Sequence, residues 1–481
     1  MEPKTIEQLH QEIKNKTINL EQYYQDLYVE LNLQQARTNG FVTITKEKAF
    51  EDLKKCDGST ILNGIPAIFK DNFNTAGIKT TASSAMLENY VPIYDATVVK
   101  KLYEAGVVLI GKSSLDELAM GGTNKTALTG PVHNPWDLKR ISGGSSGGSA
   151  ALVASGIAPF ALGSDTGDSI RKPAGFCGVV GFKPTWGRIS RYGVIPYASS
   201  LDTVGAFTRN VRDMAIVTEI MAGRDDLDMT SSHLPVPNYV ENLNSDLTGK
   251  KIAIIKQIDD ELVDPIIIDN LNAMVELAKS KGAIVELVEM NQQLLDALVP
   301  TYKIIANSEA TSNHSCLDGI KYGLQKPGAS VDEIMIQSRT AGFGAPIRQR
   351  FILGNLALAT ENQDKMFRQA QRVRRLIVNE VQNVLKEYDV IMTPNSGTIA
   401  PLIDEATDSR TSTDYQVVEN HLLLGNFAGT PSITIPSGFD GHMPIGINIM
   451  GRLFEEQTVL DVAYALESGM NYKDQYKRED K

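Results

Sequence analysis

The chain has 481 residues, of which 42% are hydrophobic and 22% are charged. These proportions are typical of a folded globular protein with a large core and exclude a disordered one. Its 58 acidic and 47 basic residues give a formal net charge of −11, which argues against a stand-alone binder of nucleic acid or of a membrane surface. Three scattered cysteines provide neither a disulfide framework nor paired metal ligands, so a reducing cytoplasm is expected.

Predicted helices and strands alternate along the chain. Apolar residues recur at helical spacing within residues 5–35. Strands are predicted at 64–69, 107–114, 251–255, 283–288, 389–394, 432–436 and 444–451, and helices at 95–104, 265–281, 347–388 and 455–467. This alternation predicts an α/β fold, although the length alone would suggest about three domains.

The sequence predicts no membrane segment and no address signal. Its polar start, MEPKTIEQLHQEIKNKT, lacks the apolar core of a signal peptide. The most apolar stretch, residues 150–163, is interrupted by Ser155, Gly156 and Pro159, whereas a membrane-spanning helix needs about 20 apolar residues. We therefore expect a soluble, cytoplasmic protein without membrane contact.

One glycine motif resembles a nucleotide site without being one. Residues 106–113, GVVLIGKS, match the pattern G-x-x-x-x-G-K-[ST] of a phosphate-binding loop. The four middle residues are apolar and themselves predict a buried strand. Because N–H groups inside a sheet pair with neighbouring strands, they cannot face a nucleotide.

Glycine is concentrated between residues 121 and 205, which hold 16 of the 39 glycines. Two serine-bearing motifs lie there, SGGSSGGSA at 142–150 and GSDTGDSIRKPA at 163–174. A nucleophilic serine needs a base and N–H donors aimed at the developing oxyanion. The second motif predicts a strand that runs into a tight turn ending at Ser169. The backbone N–H groups that could form an oxyanion hole in this turn belong to Thr166, Gly167, Asp168 and Ser169.

The base for such a serine is either a histidine or a lysine. Of the six histidines, only His133 lies near the glycine-rich window, and it sits in a polar turn. A histidine that is distant in sequence remains an alternative base. Lys70 follows the apolar run IPAIF, and burial there would lower its pKa from about 10.4 toward the range where an amine acts as a base. A solvated strand end is the alternative interpretation of this single lysine.

Lys70 and the two serine motifs together resemble the amidase signature family. The spacings of 75 residues from Lys70 to Ser145 and of 24 from Ser145 to Ser169 agree with that family. The resemblance extends from GIPAIFKDN to PIGINIMG. It implies an amidase signature fold, with a central mixed sheet covered by helices on both faces. It also implies a Ser-cisSer-Lys triad, in which Ser169 is the nucleophile, Ser145 on a cis peptide relays the proton, and Lys70 is the base.

The resemblance replaces the three domains suggested by length with one large domain. We expect a helical N-terminal segment at 1–60 packed on the core, a single amidase signature domain at 61–470, and a polar tail at 471–481. Asp165 and Arg171 are expected to pair and hold the nucleophile turn.

Further phrases, such as DATVVKKLYEAG and GVVGFKPTWGRISRYGV, are similar to family members that serve as glutaminase subunits of tRNA-dependent amidotransferases. That resemblance implies hydrolysis of glutamine to glutamate and ammonia. It implies that the ammonia passes to a partner subunit that amidates Glu-tRNA(Gln). The expected partners are subunits B and C of the amidotransferase, with tRNA bound through the complex. No cofactor is expected in this chain, and ATP and Mg²⁺ are expected in the partner.

The chain departs from the family pattern beside the nucleophile. The family usually has Gly-Gly-Ser there, and this chain has Gly167-Asp168-Ser169; the usual glutamine after Ile-Arg is Lys172. An aspartate supplies the same backbone N–H, provided that its carboxylate points away from the oxyanion. We expect Lys172 to pair with Asp168.

The residues expected to bind the substrate are less strongly defined. A free amino acid needs a cation for its carboxylate and an acid for its ammonium group. Arg350 is expected to bind the carboxylate, and Glu419 takes the position of the family's usual aspartate. Gly121 and Gly122 are expected to line the substrate site. A solvated surface position remains an equal alternative for Arg350 and Glu419.

The departures leave two other functions open. A stand-alone amidase acting on another amide is the first. An inactive scaffold protein is the second, and it ranks lower because Lys70, Ser145 and Ser169 are all present.

Overall fold

The computed structural model describes residues 2–258, 263–407 and 417–479. Its α-helices are α1 (Ile6–Lys14), α2 (Leu20–Thr38), α3 (Lys46–Leu53), α4 (Thr97–Glu104), α5 (Gly147–Ala154), α6 (Arg171–Cys177), α7 (Val211–Met221), α8 (Pro265–Ser280), α9 (Gln292–Asp296), α10 (Leu298–Asn313), α11 (Val331–Gly342), α12 (Ala345–Leu358), α13 (Gln369–Glu387), α14 (Val417–Asn420), α15 (Leu423–Ala428) and α16 (Glu456–Ser468). Its strands are β1 (Phe41–Ile44), β2 (Pro66–Lys70), β3 (Val108–Ser113), β4 (His133–Asn134), β5 (Asp137–Ile141), β6 (Phe160–Asp165), β7 (Val180–Lys183), β8 (Thr203–Thr208), β9 (Lys251–Ile255), β10 (Ile284–Val288), β11 (Val390–Pro394), β12 (Ser432–Asp440) and β13 (Met443–Gly451).

Within the described residues, eleven strands form one mixed sheet in the order β1-β3-β2-β6-β8-β7-β12-β13-β11-β9-β10. Strands β3, β2 and β6 run parallel to one another. Strands β11, β9 and β10 do the same near the other edge. The strands between these groups pair antiparallel. The α/β fold with a central mixed sheet is therefore confirmed.

Helices cover both faces of this sheet, as the family resemblance implied. Along β9, Ile252 and Ile254 pack in one apolar cluster, and Ala253 and Ile255 pack in another. Because successive side chains of a strand point to opposite faces, the two clusters lie on opposite sides of the sheet. Side chains of α1, α2, α4, α5, α7 and α16 fill the first cluster, and those of α10, α12, α13 and α15 fill the second.

The two chain ends pack on the core. The segment 1–60 contains α1, α2 and α3 and also contributes β1, which pairs antiparallel with β3 at the sheet edge; the sequence patterns did not predict this strand. The polar tail packs against the end of α5. The N–H of Lys477 donates to the Ala154 carbonyl over 2.8 Å, and Arg478 Nε donates to the Ser155 carbonyl over 2.9 Å.

Among the described residues, no helix combines the length and apolar character required to cross a bilayer. The long helical pattern predicted at 347–388 divides into α12 and α13, because the chain after Leu358 turns to an extended conformation at Ala359.

The parallel strands β2 and β6 bring the serine motifs and the lysine together. Lys70 is the last residue of β2, and Asp165 is the last residue of β6. The carboxyl ends of adjacent parallel strands meet at the same edge of a sheet, where α/β proteins commonly bind ligands. The loop that carries Ser145 precedes α5, which leads into β6.

Candidate active site

Lys70 is buried and its amine is surrounded by serine hydroxyls. Its Nζ lies 2.9 Å from Ser145 Oγ, 2.8 Å from Ser146 Oγ and 2.9 Å from Ser164 Oγ. The structure therefore places the predicted base in direct contact with the predicted relay serine. A solvated strand end, the alternative interpretation of Lys70, does not fit a side chain with no exposed surface.

The hydrogen bonds around Lys70 orient its amine. The Ser146 hydroxyl donates to the Ser164 carbonyl over 3.0 Å, so its oxygen accepts from Lys70. Asn72 Nδ2 donates to Ser164 Oγ over 3.0 Å and fixes that hydroxyl. A neutral amine has two hydrogens and one lone pair. With its hydrogens held by Ser146 and Ser164, the lone pair faces the Ser145 hydroxyl.

Burial also sets the protonation of Lys70. Because the interior removes water from the ammonium, burial lowers the pKa of Lys70 from 10.5 to about 7, although Asp116, Asp165 and Asp202 act in the opposite direction. A substantial neutral fraction at physiological pH allows the amine to accept a proton.

The loop before α5 is fixed by close packing on Asp116. The Gly144–Ser145 peptide is cis. A Cβ on Gly144 would lie 2.1 Å from Asp116 Oδ2 and 2.7 Å from the Asn124 nitrogen, so only glycine fits. The N–H of Asp116 donates to the Ser145 carbonyl over 3.2 Å. These contacts hold Ser145 against Lys70.

The turn after β6 presents Ser169 to the same place. The N–H of Ser146 donates to the Ser169 carbonyl over 3.2 Å, which joins the two serine motifs. The Ser169 hydroxyl is buried and has no hydrogen-bond partner in the described part of the chain. Within that part, the N–H groups of Thr166, Gly167 and Ser169 donate to no backbone or side-chain acceptor. Donors of this kind suit an oxyanion hole.

A buried ion pair holds the nucleophile turn. Arg171 Nη2 lies 3.0 Å from Asp165 Oδ1, and Arg171 Nε lies 3.1 Å from Asp165 Oδ2. Arg171 also donates to the Gly167 carbonyl over 2.8 Å, and Asn426 Nδ2 donates to Asp165 Oδ1 over 2.8 Å. Although burial raises it, the Arg171 guanidinium and these hydrogen bonds lower the pKa of Asp165 to about 2. Both ends of the turn are thereby fixed.

A chain of contacts leads from Arg350 through Tyr197 and Tyr302 to the nucleophile turn. The ideal Cβ position of Gly167 is 3.2 Å from the Tyr302 hydroxyl. The rings of Tyr302 and Tyr197 pack edge to face, with centroids 6.4 Å apart. Arg350 Nη1 donates to the Tyr197 hydroxyl over 3.2 Å. Arg350 is buried, so a solvated surface position does not describe it.

Glu419 contacts Lys172, the second residue of α6. Lys172 Nζ is 2.9 Å from Glu419 Oε2 and 3.9 Å from Asp168 Oδ2. The expected Asp168–Lys172 pair is thus present at longer range, and Glu419 is the closer partner. Although burial raises it, Lys172 and hydrogen bonds from Ser396 and Gly397 lower the pKa of Glu419 to about 2.

The two glycines expected at the substrate site differ in position. A Cβ on Gly121 would lie 2.3 Å from the Asp116 carboxyl carbon, so packing explains this glycine. Gly122 lines a small cavity of about 60 Å³ together with Asp168, Lys172 and Glu419.

The remaining motif residues lie outside this cluster. Lys112 of the loop-like motif is fully buried in β3 and pairs with Asp71 at 3.4 Å. His133 contacts the Leu138 carbonyl at 2.6 Å, and His421 contacts the Val418 carbonyl at 2.9 Å. In the part of the chain that the structure describes, no histidine hydrogen-bonds to Ser145 or Ser169.

Several residues of this site were not predicted from the sequence. Ser146 and Ser164 lie inside the two serine motifs, so their presence there was a usable signal. Tyr302 and Asn426 lie far along the chain and carried no local signal. The missed residues are Asn72, Ser146, Ser164, Tyr197, Tyr302 and Asn426.

The chain is similar to known proteins over nearly its whole length. The Amidase family model matches residues 24–460. The A subunit of glutamyl-tRNA(Gln) amidotransferase from Sulfurihydrogenibium sp. (strain YO3AOP1) is 41% identical over 478 residues, covering 98% of each chain. The crystal structure of the A subunit of glutamyl-tRNA(Gln) amidotransferase from Thermotoga maritima has a TM-score of 0.80 at 35% identity, covering 98% of this chain and 96% of that one. Peptide amidase from Stenotrophomonas maltophilia has a TM-score of 0.82 at 25% identity, with 98% and 97% covered.

The Asp165–Arg171 pair predicts a large loss of stability for Asp165→Asn. Breaking a buried pair leaves the guanidinium uncompensated, and we expect the free energy of unfolding in urea to fall by about 3–5 kcal/mol at pH 7. Because the pKa of Asp165 lies below its usual 3.8, its contribution is fully present above pH 4. The difference between the two proteins shrinks as the pH falls toward 2.

Asp137→Asn is the matched control, since Asp137 pairs with Arg140 at 3.2 Å near the surface. That change should cost less than about 1 kcal/mol. Equal losses in the two variants would show that the Asp165–Arg171 pair does not hold the turn.

Proposed function

This chain belongs to the amidase family, and from that membership we propose that it is the glutaminase subunit of a glutamyl-tRNA(Gln) amidotransferase. It hydrolyses glutamine to glutamate and ammonia. One observation carries the chemistry: a buried lysine whose pKa is lowered to about 7 contacts Ser145, and the Ser169 hydroxyl has no hydrogen-bond partner among the described residues. The relatives of 41% and 35% identity, each named as the A subunit of this amidotransferase, support the choice of substrate.

The first half of the reaction forms an acyl-enzyme. Ser169 Oγ attacks the side-chain amide carbon of glutamine and gives its proton to Ser145, whose own proton passes to Lys70. Negative charge develops on the amide oxygen, where backbone N–H groups of the turn stabilise it. Lys70 returns the proton through Ser145 to the amide nitrogen. The C–N bond breaks, ammonia leaves, and a glutamyl ester remains on Ser169.

The second half regenerates the enzyme. Water takes the place of ammonia beside Ser145 and gives a proton along the same path to Lys70. The hydroxide attacks the ester carbon, and the same N–H groups stabilise the oxyanion. The proton then returns to Ser169, and glutamate leaves.

Two charged side chains orient the rest of the substrate. We assign the glutamine carboxylate to Arg350 and the ammonium group to Glu419. The carboxylate and the ammonium group of glutamine stand on the same carbon, so a cation and an anion that serve one end of the substrate match a free amino acid. The orientation of Asp168 toward Lys172 supports an active site over an inactive scaffold, because it directs that carboxylate to a cation.

The partners follow from the same proposal. Subunits B and C complete the amidotransferase, and tRNA binds through the complex, which agrees with the net charge of −11 on this chain. The partner subunit uses ATP and Mg²⁺ to activate the glutamate of Glu-tRNA(Gln) for attack by ammonia. Such a complex works in the cytoplasm, where aminoacyl-tRNA is found.

A stand-alone amidase is the second candidate. The contact of Lys172 with Glu419 favours it, because it partly neutralises the acid assigned to the substrate ammonium. The peptide amidase of S. maltophilia shares the fold at 25% identity.

Ser169→Ala should lower the rate of ammonia release from glutamine by about 10³-fold or more, since the acyl-enzyme cannot form. Ammonia release by the purified chain, with and without its partner subunits, measures this. Ser155→Ala is the control, because that buried serine hydrogen-bonds to the Ala151 carbonyl outside the site. Equal ammonia release from Ser169→Ala and the native chain would show that Ser169 is not the nucleophile.

The substrate tests the choice between the two candidate functions. The stand-alone amidase would be favoured if the chain hydrolyses other amides but not glutamine, and if ATP and Glu-tRNA(Gln) do not stimulate the complex.

The pKa of Lys70 predicts the pH dependence. Below pH 7 the amine is protonated and cannot act as a base, so kcat/KM should fall about tenfold per pH unit. Above pH 7 it should reach a plateau, with a midpoint near the pKa of about 7. Lys183→Met is the control, because Lys183 is also buried with a pKa lowered to about 7 but contacts the Pro184 carbonyl. A midpoint near 10, or one that moves with Lys183→Met, would exclude Lys70 as the titrating base.

A further inference from the structure

Three charged side chains stand together beside the nucleophile. Lys172 Nζ lies 2.9 Å from Glu419 Oε2 and 3.9 Å from Asp168 Oδ2, and it donates to the Glu419 carbonyl over 2.8 Å. Asp168 directly precedes Ser169 and belongs to the turn whose N–H groups the proposed function assigns to the oxyanion hole. We call Asp168, Lys172 and Glu419 the charged trio.

The charged trio lines one cavity. All three residues contribute to the wall of the cavity of about 60 Å³ next to Gly122. Asp168 and Lys172 are nearly buried, with side chains 9% and 6% exposed, whereas the Glu419 side chain is 23% exposed. Glu419 is therefore the member most open to a ligand.

Glu419 is also held rigidly. Its Oε1 accepts hydrogen bonds of 2.8 Å from the Ser396 hydroxyl and from the Gly397 N–H. Its Oε2 faces Lys172. The carboxylate is thus fixed in the cavity wall, and a ligand meets it in one orientation.

The charge of the trio is the sum of two carboxylates and one ammonium, or −1. Lys172 compensates one of the two negative charges next to the oxyanion hole. Without Lys172, a net charge of −2 would oppose the oxyanion in a poorly solvated site. Without Asp168 the trio would be neutral and would not attract an ammonium group.

We propose that the charged trio sets substrate selection by charge balance: Lys172 shields the oxyanion hole from Asp168, and the remaining negative charge selects amides that carry an ammonium group. This inference rests on the proposed function, which places the substrate ammonium at Glu419. It adds two specificity-determining residues, Asp168 and Lys172, that act through charge without touching the reacting atoms.

Four amides separate the contributions of the two substrate charges. Glutamine carries both charges, glutaramate lacks the ammonium group, 4-aminobutanamide lacks the carboxylate, and butanamide lacks both. For each amide, kcat and KM of the full chain are measured by ammonia release. The ratio of kcat/KM for 4-aminobutanamide to that for butanamide reports the preference for an ammonium group alone.

The two single variants should fail in different ways. In Asp168→Gly the N–H of the turn is retained but the trio becomes neutral, so the ratio should fall about tenfold. In Lys172→Gln a donor for Glu419 is retained but Asp168 is no longer shielded. The value of kcat should then fall about tenfold for all four amides, while the ratio does not fall.

The double variant Asp168→Gly/Lys172→Gln restores a charge of −1 and should recover both the ratio and kcat. Lys279→Gln is the control, because it removes the same charge from an exposed position on α8 and should leave the ratio as it is. Two results would overturn the charge balance and indicate a merely structural trio. In the first, the losses of activity in the two single variants add in the double variant; in the second, each single variant loses activity equally on all four amides.

The same experiment separates this inference from the proposed function. If 4-aminobutanamide and butanamide are hydrolysed but glutamine is not, the glutaminase function is wrong and the ratio still tests the trio. If glutamine is hydrolysed and Asp168→Gly does not change the ratio, only the trio's role is wrong. A protein inactive on all four amides would overturn both.

Discussion

The site depends on one physical constraint, the burial of the Lys70 amine among neutral hydroxyls. An ammonium without water or a close carboxylate is unfavourable in the interior, so the neutral form becomes accessible near pH 7. Lys112 shows the contrast. It is equally buried but lies 3.4 Å from the Asp71 carboxylate. Two lysines near the ends of neighbouring strands thus differ in their partners, although burial lowers the pKa of both. Lys70 meets serine hydroxyls, whereas Lys112 meets the Asp71 carboxylate, the Phe73 carbonyl and the Thr80 hydroxyl.

The rest of the site keeps hydroxyls and N–H groups in place around that amine. Close packing of Gly144 on Asp116 holds the loop that carries Ser145. The Asp165–Arg171 pair holds the turn that carries Ser169. Both supports are buried and polar, so their stability depends on complete pairing. Within the described part of the chain, the Ser169 hydroxyl takes no part in this framework, which leaves it available for a substrate.

The central part of the site could be predicted from the sequence because its residues lie within short sequence motifs. Glycine-rich motifs contain Ser145 and Ser169, and a predicted strand end contains Lys70. The chemistry that these patterns favour can be inferred without a structure. The alternation of helices and strands likewise predicted the α/β class. Strands β7 and β8, which complete the sheet beside β6, lie in the glycine-rich region and carry no clear alternation.

Contacts between distant parts of the chain could not be predicted in this way. The expected partner of Lys172 was Asp168, one helical turn away, yet Glu419 lies closer because α14 packs against the nucleophile turn. Tyr302 approaches Gly167 from α10, and no residue near either one indicates this. Periodicity and motifs describe neighbours in sequence, whereas the substrate end of the site is built from tertiary packing.

Direct titration of Lys70 tests whether its buried amine can be neutral at physiological pH. The Nζ chemical shift of labelled lysine can be followed by NMR between pH 5 and pH 11 in Ser169→Ala, with Lys70→Met and Lys183→Met variants used to assign the signals. We expect a Lys70 pKa of about 7. A value near the ordinary 10.5 would mean that the amine stays protonated at neutral pH, and Lys70 would then not be the base.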